Sequence, residues 1–173
     1  LRSAAFLLFA FFPLEFNTPY QELFFGQNLL MFFSYSLLHG NFFHMIINVT
    51  ILFALGKQIE ERLGMINFIL IFVSTAITGA VAYQILASGN PAPMVGASGG
   101  VFGFFGFLKG KELFFRIKNH LTILPFLNLV FGLVVLHVVL ILLHPSIIPF
   151  QIGWHGHLGG FVFGVLLAGV IKE

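Results

Sequence analysis

The chain has no Asp and no Cys, a single Trp, and few charges of either sign: 8% of its 173 residues are Asp, Glu, Lys or Arg. Each shortage excludes something. Without Cys there are no disulfides and no thiolate chemistry. Without Asp, any catalytic serine must work without the usual buried aspartate behind its histidine. A soluble domain carries about 25% charged residues, so water is not the main solvent for this surface. The net charge of +2 is too small to point to nucleic acid. What fills the chain instead is apolar bulk: 58% hydrophobic residues, 25 of them Phe, and a mean hydropathy of +1.02.

The few charges and the Pro/Gly clusters break this bulk into six apolar runs, about 1–13, 42–56, 65–87, 95–108, 121–143 and 155–171. An open chain crosses a bilayer only as helices, because every backbone polar group must be satisfied internally, and a crossing takes about 20 residues. The expected fold class is therefore an all-α polytopic membrane protein with six transmembrane helices. The Lys and Arg residues fall on alternate connections: Arg2, then Lys57 and Arg62, then Lys109, Lys111, Arg116 and Lys118, then Lys172. The connections 14–41, 88–94 and 144–154 carry none. The positive-inside rule places both termini in the cytoplasm. No domain boundary, linker or repeat is visible, so residues 1–173 read as a single membrane domain. The chain opens on Leu1 inside an apolar run, which predicts a missing segment ahead of it.

With this orientation, runs two, four and six start on the outer side, and the unusual polar residues gather at those starts: His39, His44, Asn48, Ser98, His155 and His157. At about 1.5 Å of rise per residue, Ser98 lies roughly 16 Å above Lys109 and His157 roughly 22 Å above Lys172. The same count puts His44 roughly 20 Å and Asn48 roughly 14 Å above Lys57. All four fall inside a hydrocarbon core about 30 Å thick, where a polar group without a partner is costly. Runs four and six carry small residues at four-residue spacing, Gly96/Gly100 and Gly99/Gly103 on one and Gly156/Gly160/Gly164 on the other. Such ridges let helix backbones approach closely. The pattern also suits plain helix packing, and a membrane Ser often bonds its own backbone. The convergence of several polar residues at one depth favours chemistry.

A Ser hydroxyl becomes a nucleophile when a neighbouring base takes its proton, and neutral imidazole suits that task. The outer-side acids are Glu15 and Glu22, both early in the first outer loop, so a Ser-His dyad is favoured over a triad. Backbone N–H groups at the start of run four would point at a developing oxyanion. His44 and Asn48 sit one turn apart on one helical face and could donate to the same oxygen. Phe102, one turn inward from Ser98, could floor the imidazole.

These residues resemble the rhomboid family of intramembrane proteases. The resemblance runs from about His39 to Gly164. His39-Gly-Asn-Phe-Phe-His44-x-x-x-Asn48 is similar to the family's second-helix signature, and Glu60-x-Arg62-x-Gly64 to the cytoplasmic turn after it. Gly96-Ala97-Ser98-Gly99 resembles the nucleophile motif, and His157-x-x-Gly160-x-x-x-Gly164 the sixth-helix motif. The resemblance implies a six-helix bundle of the bacterial type with a short central helix four. It implies Ser98 as nucleophile, His157 as general base, and an oxyanion hole from His44, Asn48 and the Ser98 N–H. Gly96, Gly99, Phe102, Gly160, Gly164 and His39 would support them. The implied reaction is hydrolysis of peptide bonds in or near transmembrane segments of other proteins, through an acyl-enzyme. No cofactor or metal is implied. The implied partners are transmembrane substrates and the bilayer, and the location a bacterial plasma membrane with the site opening outward. Many relatives carry a Trp-Arg pair about nine residues before the first motif histidine, where this chain reads Asn28–Phe33 without it.

Three rival readings stay open at this point: a catalytically silent binding relative, a transporter or channel, and a metal-dependent protease built on His39/His44 and His155/His157. Neither a His-Glu-x-x-His motif nor an internal repeat supports the last two. His137 and His144 read as packing and interfacial residues. His155 has no assigned role.

Overall fold

The computed structural model describes residues 1–13, 22–87, 92–143 and 153–172. Glu15, His144 and most of the loop before the last helix lie outside them. Regular structure among the described residues is helical: α1 (Arg2–Phe9), α2 (Gln27–Ser34) with a 3-10 turn (Tyr35–Leu37), α3 (Phe42–Leu86), α4 (Ser98–Lys118), α5 (Leu124–Leu143) and α6 (Trp154–Val170).

Helix α3 starts where the Asn41 side chain accepts the His44 N–H at 2.8 Å, a side-chain cap on an otherwise unpaired amide. It breaks at Gly64, whose φ of 80° and ψ of 166° are open to glycine and strained for other residues. The chain turns back there, so that Gly56 of the first arm lies against the Phe68 ring of the second. At about 1.5 Å per residue each arm, 42–63 and 65–86, is long enough to cross a bilayer. The connection expected over 57–64 thus reduces to one residue, and Glu60 and Arg62 are helical.

Two expectations need correction. Helix α4 is not short: it runs 21 residues, well past the apolar stretch that ends at Leu108. The charged stretch stays helical because its charges pair at helical spacing. Glu112 accepts from Lys109 and from Arg116, each at 3.0 Å, and such pairs support a helix. The basic residues Arg116 and Lys118 in the last turn complement the helix dipole. The second correction concerns Arg2, at the start of α1, a helix of eight residues. The Arg2 guanidinium donates to the Gly40 carbonyl beside the start of α3. Arg2 therefore sits at the end of the molecule where α3 begins, and it does not belong with the other basic residues. Lys111 shows where those gather, donating to the Ile171 carbonyl just beyond α6 at 2.5 Å.

The segment between α1 and α3 is held without the Trp-Arg pair. The Gln27 amide donates to the Leu7 and Leu8 carbonyls at 2.8 and 3.2 Å, and the Ser34 hydroxyl to the Phe9 carbonyl at 2.8 Å. These are the carbonyls that a helix C-terminus leaves open, so α2 caps α1 with its side chains. Phe11, Met31, Tyr35, Tyr83 and Met94 form one buried cluster on this side, and Ile59, Ile71, Phe104 and Phe107 form another toward the basic end.

Between the clusters, α4 and α6 meet backbone to backbone. A Cβ at Gly160 would strike the Gly99 carbonyl, one at Gly164 the Gly103 carbonyl, and one at Gly106 the Phe161 carbonyl. Gly110 continues the seam against Val165 and Ala168. Of the two ridges expected on α4, Gly99/Gly103 meets α6 through its carbonyls, while Cβ atoms there would point at Tyr35 and at Thr75 of α3. Gly96 and Gly100 face His44 and Phe72 of α3. The outer surface is covered by exposed Leu, Ile, Val and Phe, and α5 buries none of its residues. Phe42–Leu86 and Leu124–Leu143 are long and apolar enough to cross a membrane.

Because the seam leaves no room for a methyl group, Gly160→Ala should lower the thermal unfolding midpoint in detergent micelles, at the cost of about 1–3 kcal/mol typical of overpacking. Gly132, with nothing within 4 Å of its Cβ position, is the control. There Ala should be neutral or raise the midpoint, in line with its helix propensity.

Candidate active site

The approach to Ser98 is fixed from three directions. Met94 and Phe11 exchange backbone hydrogen bonds at 2.8 and 3.0 Å, the Gly96 N–H donates to the Tyr35 carbonyl at 3.0 Å, and the Ala97 N–H points to His39 Nε2 at 3.5 Å. Tyr35 is itself anchored, its hydroxyl donating to the Ala76 carbonyl of α3 at 2.8 Å. Gly96 adopts φ 127°, and a Cβ there would stand 2.7 Å from the His44 ring. Conformation and space both call for glycine at that position.

Ser98 is the first residue of α4, and the helix's own ladder begins with Val101 N–H donating to the Ala97 carbonyl. The amides of Ser98, Gly99 and Gly100 precede that ladder, so they lie where a helix N-terminus favours negative charge. The Ser98 hydroxyl lies 2.7 Å from His157 Nε2. The seam makes this contact possible: Gly160, one turn after the histidine, has no side chain to push away the Gly99 carbonyl beside the serine, and Gly99 leaves room for the Tyr35 hydroxyl. The His157 ring lies flat on Phe102, centroids 4.3 Å apart and planes within 8°. Stacking on one face leaves the imidazole only in-plane contacts for its nitrogens.

His39 and His44 stand edge to face at 5.3 Å, beside the Gly96–Ala97 approach. Asn48 is buried, at 4% exposure, and its amide donates to the His44 carbonyl at 2.8 Å. An Asn amide carries two hydrogens, so this bond occupies half of its donor capacity. His155, paired with His157 in the metal reading, turns elsewhere: it stacks on Trp154 at 3.8 Å and meets Tyr83 edge-on at 5.6 Å.

The arrangement contains a residue that sequence reasoning left to packing. His137 of α5 places Nε2 2.9 Å from His157 Nδ1. The signal was available, since His137 is the lone ionisable residue in twenty otherwise uncharged positions of α5, and such a residue within a membrane helix is a functional candidate by default. A serine hydroxyl on a neutral imidazole, beside helix-start amides, can be deprotonated as it attacks an electrophile and can house the resulting oxyanion.

Comparison with known proteins gives the family. The family described as Rhomboid domain matches residues 26–173. The Rhomboid protease GluP of Bacillus subtilis (strain 168) is 29% identical over 140 residues, which is 78% of this chain and 24% of that protein. YdcA of the same organism is 29% identical over 134 residues, 76% of this chain and 62% of that protein. RHOMBOID-like protein 4 of Arabidopsis thaliana is 30% identical over 141 residues, 78% of this chain and 32% of that protein. The chain thus spans between about a quarter and three fifths of the length of these relatives.

The Ser98–His157 contact predicts selective nucleophilicity. A fluorophosphonate probe should label the folded protein at Ser98 alone, as read by peptide mapping, and Ser98→Ala should abolish labelling. Equal labelling of Ser34 or Ser74, both bonded to backbone carbonyls, would show that the imidazole does not activate Ser98.

Proposed function

This chain belongs to the rhomboid family and is an integral membrane protein, and from that premise we propose that it is an intramembrane serine endopeptidase. The observation that carries the proposal is the 2.7 Å contact between Ser98 and His157, made inside a helical bundle with a lipid-facing surface. Its substrates are other membrane proteins, cut in or near a transmembrane segment.

The chemistry follows from the positions. His157 Nε2 accepts the Ser98 proton as the oxygen attacks the scissile carbonyl carbon. The carbonyl oxygen becomes an oxyanion, which the Ser98 N–H receives together with donors from His44 and the second amide hydrogen of Asn48. His157 returns the proton to the leaving amine, the C–N bond breaks, and Ser98 carries the acyl group as an ester. Water then repeats the sequence, with His157 again as base, and frees Ser98 and the new carboxylate. Phe102 keeps the ring in plane with both partners through these steps. His39 supports the approach to Ser98 from outside the reaction.

The positive-inside rule assigns the basic end of the bundle to the cytoplasm. Setting Arg2 aside, the other Lys and Arg residues lie in the last turns of the first arm of α3, after the apolar part of α4, and just beyond α6. The start of α4, with Ser98, then opens toward the outer side. GluP and YdcA, both from Bacillus subtilis, support a bacterial plasma membrane as the site.

Two measurements test this reading. In liposomes with a tagged transmembrane reporter, Ser98→Ala and His157→Ala should each abolish cleavage. Asn48→Ala should lower it by up to the roughly 10²–10³-fold that follows loss of one oxyanion donor. Cleavage equal in wild type and both dyad variants would overturn the protease proposal, and a folded, inactive wild type would favour a silent binding relative. For orientation, the absence of Cys allows single-Cys variants. A membrane-impermeant maleimide applied to intact spheroplasts should label Leu23→Cys and spare Lys118→Cys. The reverse pattern would invert the topology.

A further inference from the structure

The mechanism above leaves one ring nitrogen of the base unaccounted for, and the structure occupies it. His157 Nδ1 faces His137 Nε2 at 2.9 Å, and His137 Nδ1 in turn faces the Leu133 carbonyl oxygen, one turn earlier in α5, at 2.8 Å. The protonation pattern of this chain follows from one end. A carbonyl oxygen can only accept, so His137 Nδ1 carries a hydrogen, and a neutral His137 presents a bare lone pair at Nε2. That lone pair pairs only with a donor, so the hydrogen of neutral His157 resides on Nδ1. His157 Nε2 is then a lone pair, aimed at the Ser98 hydroxyl 2.7 Å away. One backbone carbonyl thus selects the tautomer of two imidazoles in series and leaves the second in the form a general base requires. Phe102 holds the pair together, stacked on His157 and edge-on to His137 at 5.4 Å.

We propose that His137 is a positioning residue for His157, filling with a neutral imidazole the place that a carboxylate takes behind the histidine of a Ser-His-Asp triad. The inference rests on the reading of His157 as general base. It fits a chain without Asp, in which, of the four described acids, Glu22 accepts the Asn28 N–H at 3.0 Å, Glu61 is paired with Lys57 and Glu112 with Lys109 and Arg116, and Glu60 sits beside Glu61 in α3, toward the basic end. When the Ser98 proton moves to His157 Nε2, the new imidazolium keeps its Nδ1–H on His137, so its orientation holds while the oxyanion forms and the proton returns to the leaving group. A neutral acceptor offsets less positive charge than a carboxylate would, so the contribution of His137 is mainly tautomer and angle. The same contact, with the Phe126 and Phe161 ring centroids 6.3 Å apart, links α5, which has no buried residue, to the site on α6.

The test uses the full chain in micelles and liposomes and compares wild type with His137→Leu and His137→Gln, with Ser98→Ala and His157→Ala as references. Leu keeps bulk and removes the acceptor. Gln keeps an acceptor oxygen near the position of Nε2. His137→Leu should lower kcat by about 10–100-fold, the range seen for partners that orient a metal-bound histidine from behind, with KM little changed. His137→Gln should recover most of the loss. In ¹⁵N-histidine NMR, with the His157 signals assigned by difference against His157→Ala, wild type and His137→Gln should show the Nδ1–H tautomer and His137→Leu a mixture. An unchanged kcat in His137→Leu, or equal loss in both variants with an unchanged His157 tautomer, would overturn the proposal. The spectra also separate this inference from the protease reading. If wild type fails to cleave, the protease reading falls. The tautomer of His157 still decides for positioning by His137 if it changes in His137→Leu, and against it if it does not.

Discussion

Close backbone contact between α4 and α6 is the constraint on which the rest of the structure depends. Lipid gives helices no hydrophobic reason to associate, so they hold together by packing and by hydrogen bonds between them. Here Gly99, Gly103, Gly106 and Gly110 on α4 meet Gly160, Gly164, Phe161 and Val165 on α6 through backbone atoms. The helices come near enough for a short Ser side chain to reach an imidazole on the facing helix. The same lack of side chains makes the seam intolerant of added volume. Structural and chemical demands on these glycines are therefore inseparable.

A second constraint holds the serine in place along its own chain. The residues before α4 are not helical, and an unheld segment would let Ser98 shift relative to His157. Three distant parts of the sequence converge on it instead: Phe11 after α1, Tyr35 after α2, and His39 before α3. Tyr35 passes the restraint on to the second arm of α3 through Ala76. The short helices α1 and α2, capped by Gln27 and Ser34, thus act as a clamp on the site as well as a cover for the upper core cluster. Apart from the Tyr35 bond to the mid-helix Ala76 carbonyl, these bonds also satisfy backbone groups outside or at the ends of helices, where satisfaction is obligatory in a low-dielectric setting.

Much of this was legible beforehand, and the failures share a cause. Family, helical class and membrane character follow from motif order, apolar runs and scarce charge. The small residues on α4 and α6 announced a close crossing, but which ridge faced which neighbour was not visible: Gly96 and Gly100 turned to His44 and Phe72. Helix α4 was read as short because its apolar stretch stops at Leu108, although the Lys109–Glu112–Arg116 pairing carries the helix ten residues further. Arg2 was counted with the inner charges on the assumption that its run crosses the membrane, and its bond to Gly40 places it at the other end. His137 was left to packing although it is the lone ionisable residue of α5, because no motif around it names a partner.

What the sequence by itself determined is local in nature. Composition chose lipid as the solvent, periodicity and capping residues chose helices, Gly64 chose a reversal, and the motif around Ser98 with that around His157 nominated these two residues as the candidate pair. The tertiary structure decided what depends on the rotation of each helix about its axis. That rotation set which glycines face a backbone, how far below its partner each ring sits, and that the lone imidazole of α5 points at His157 rather than into lipid. A pattern of residues along one helix records its apolar and polar faces, and α5 is apolar all round. It therefore carries no face to read, and only the position of α6 and Phe102 beside it gives His137 a partner.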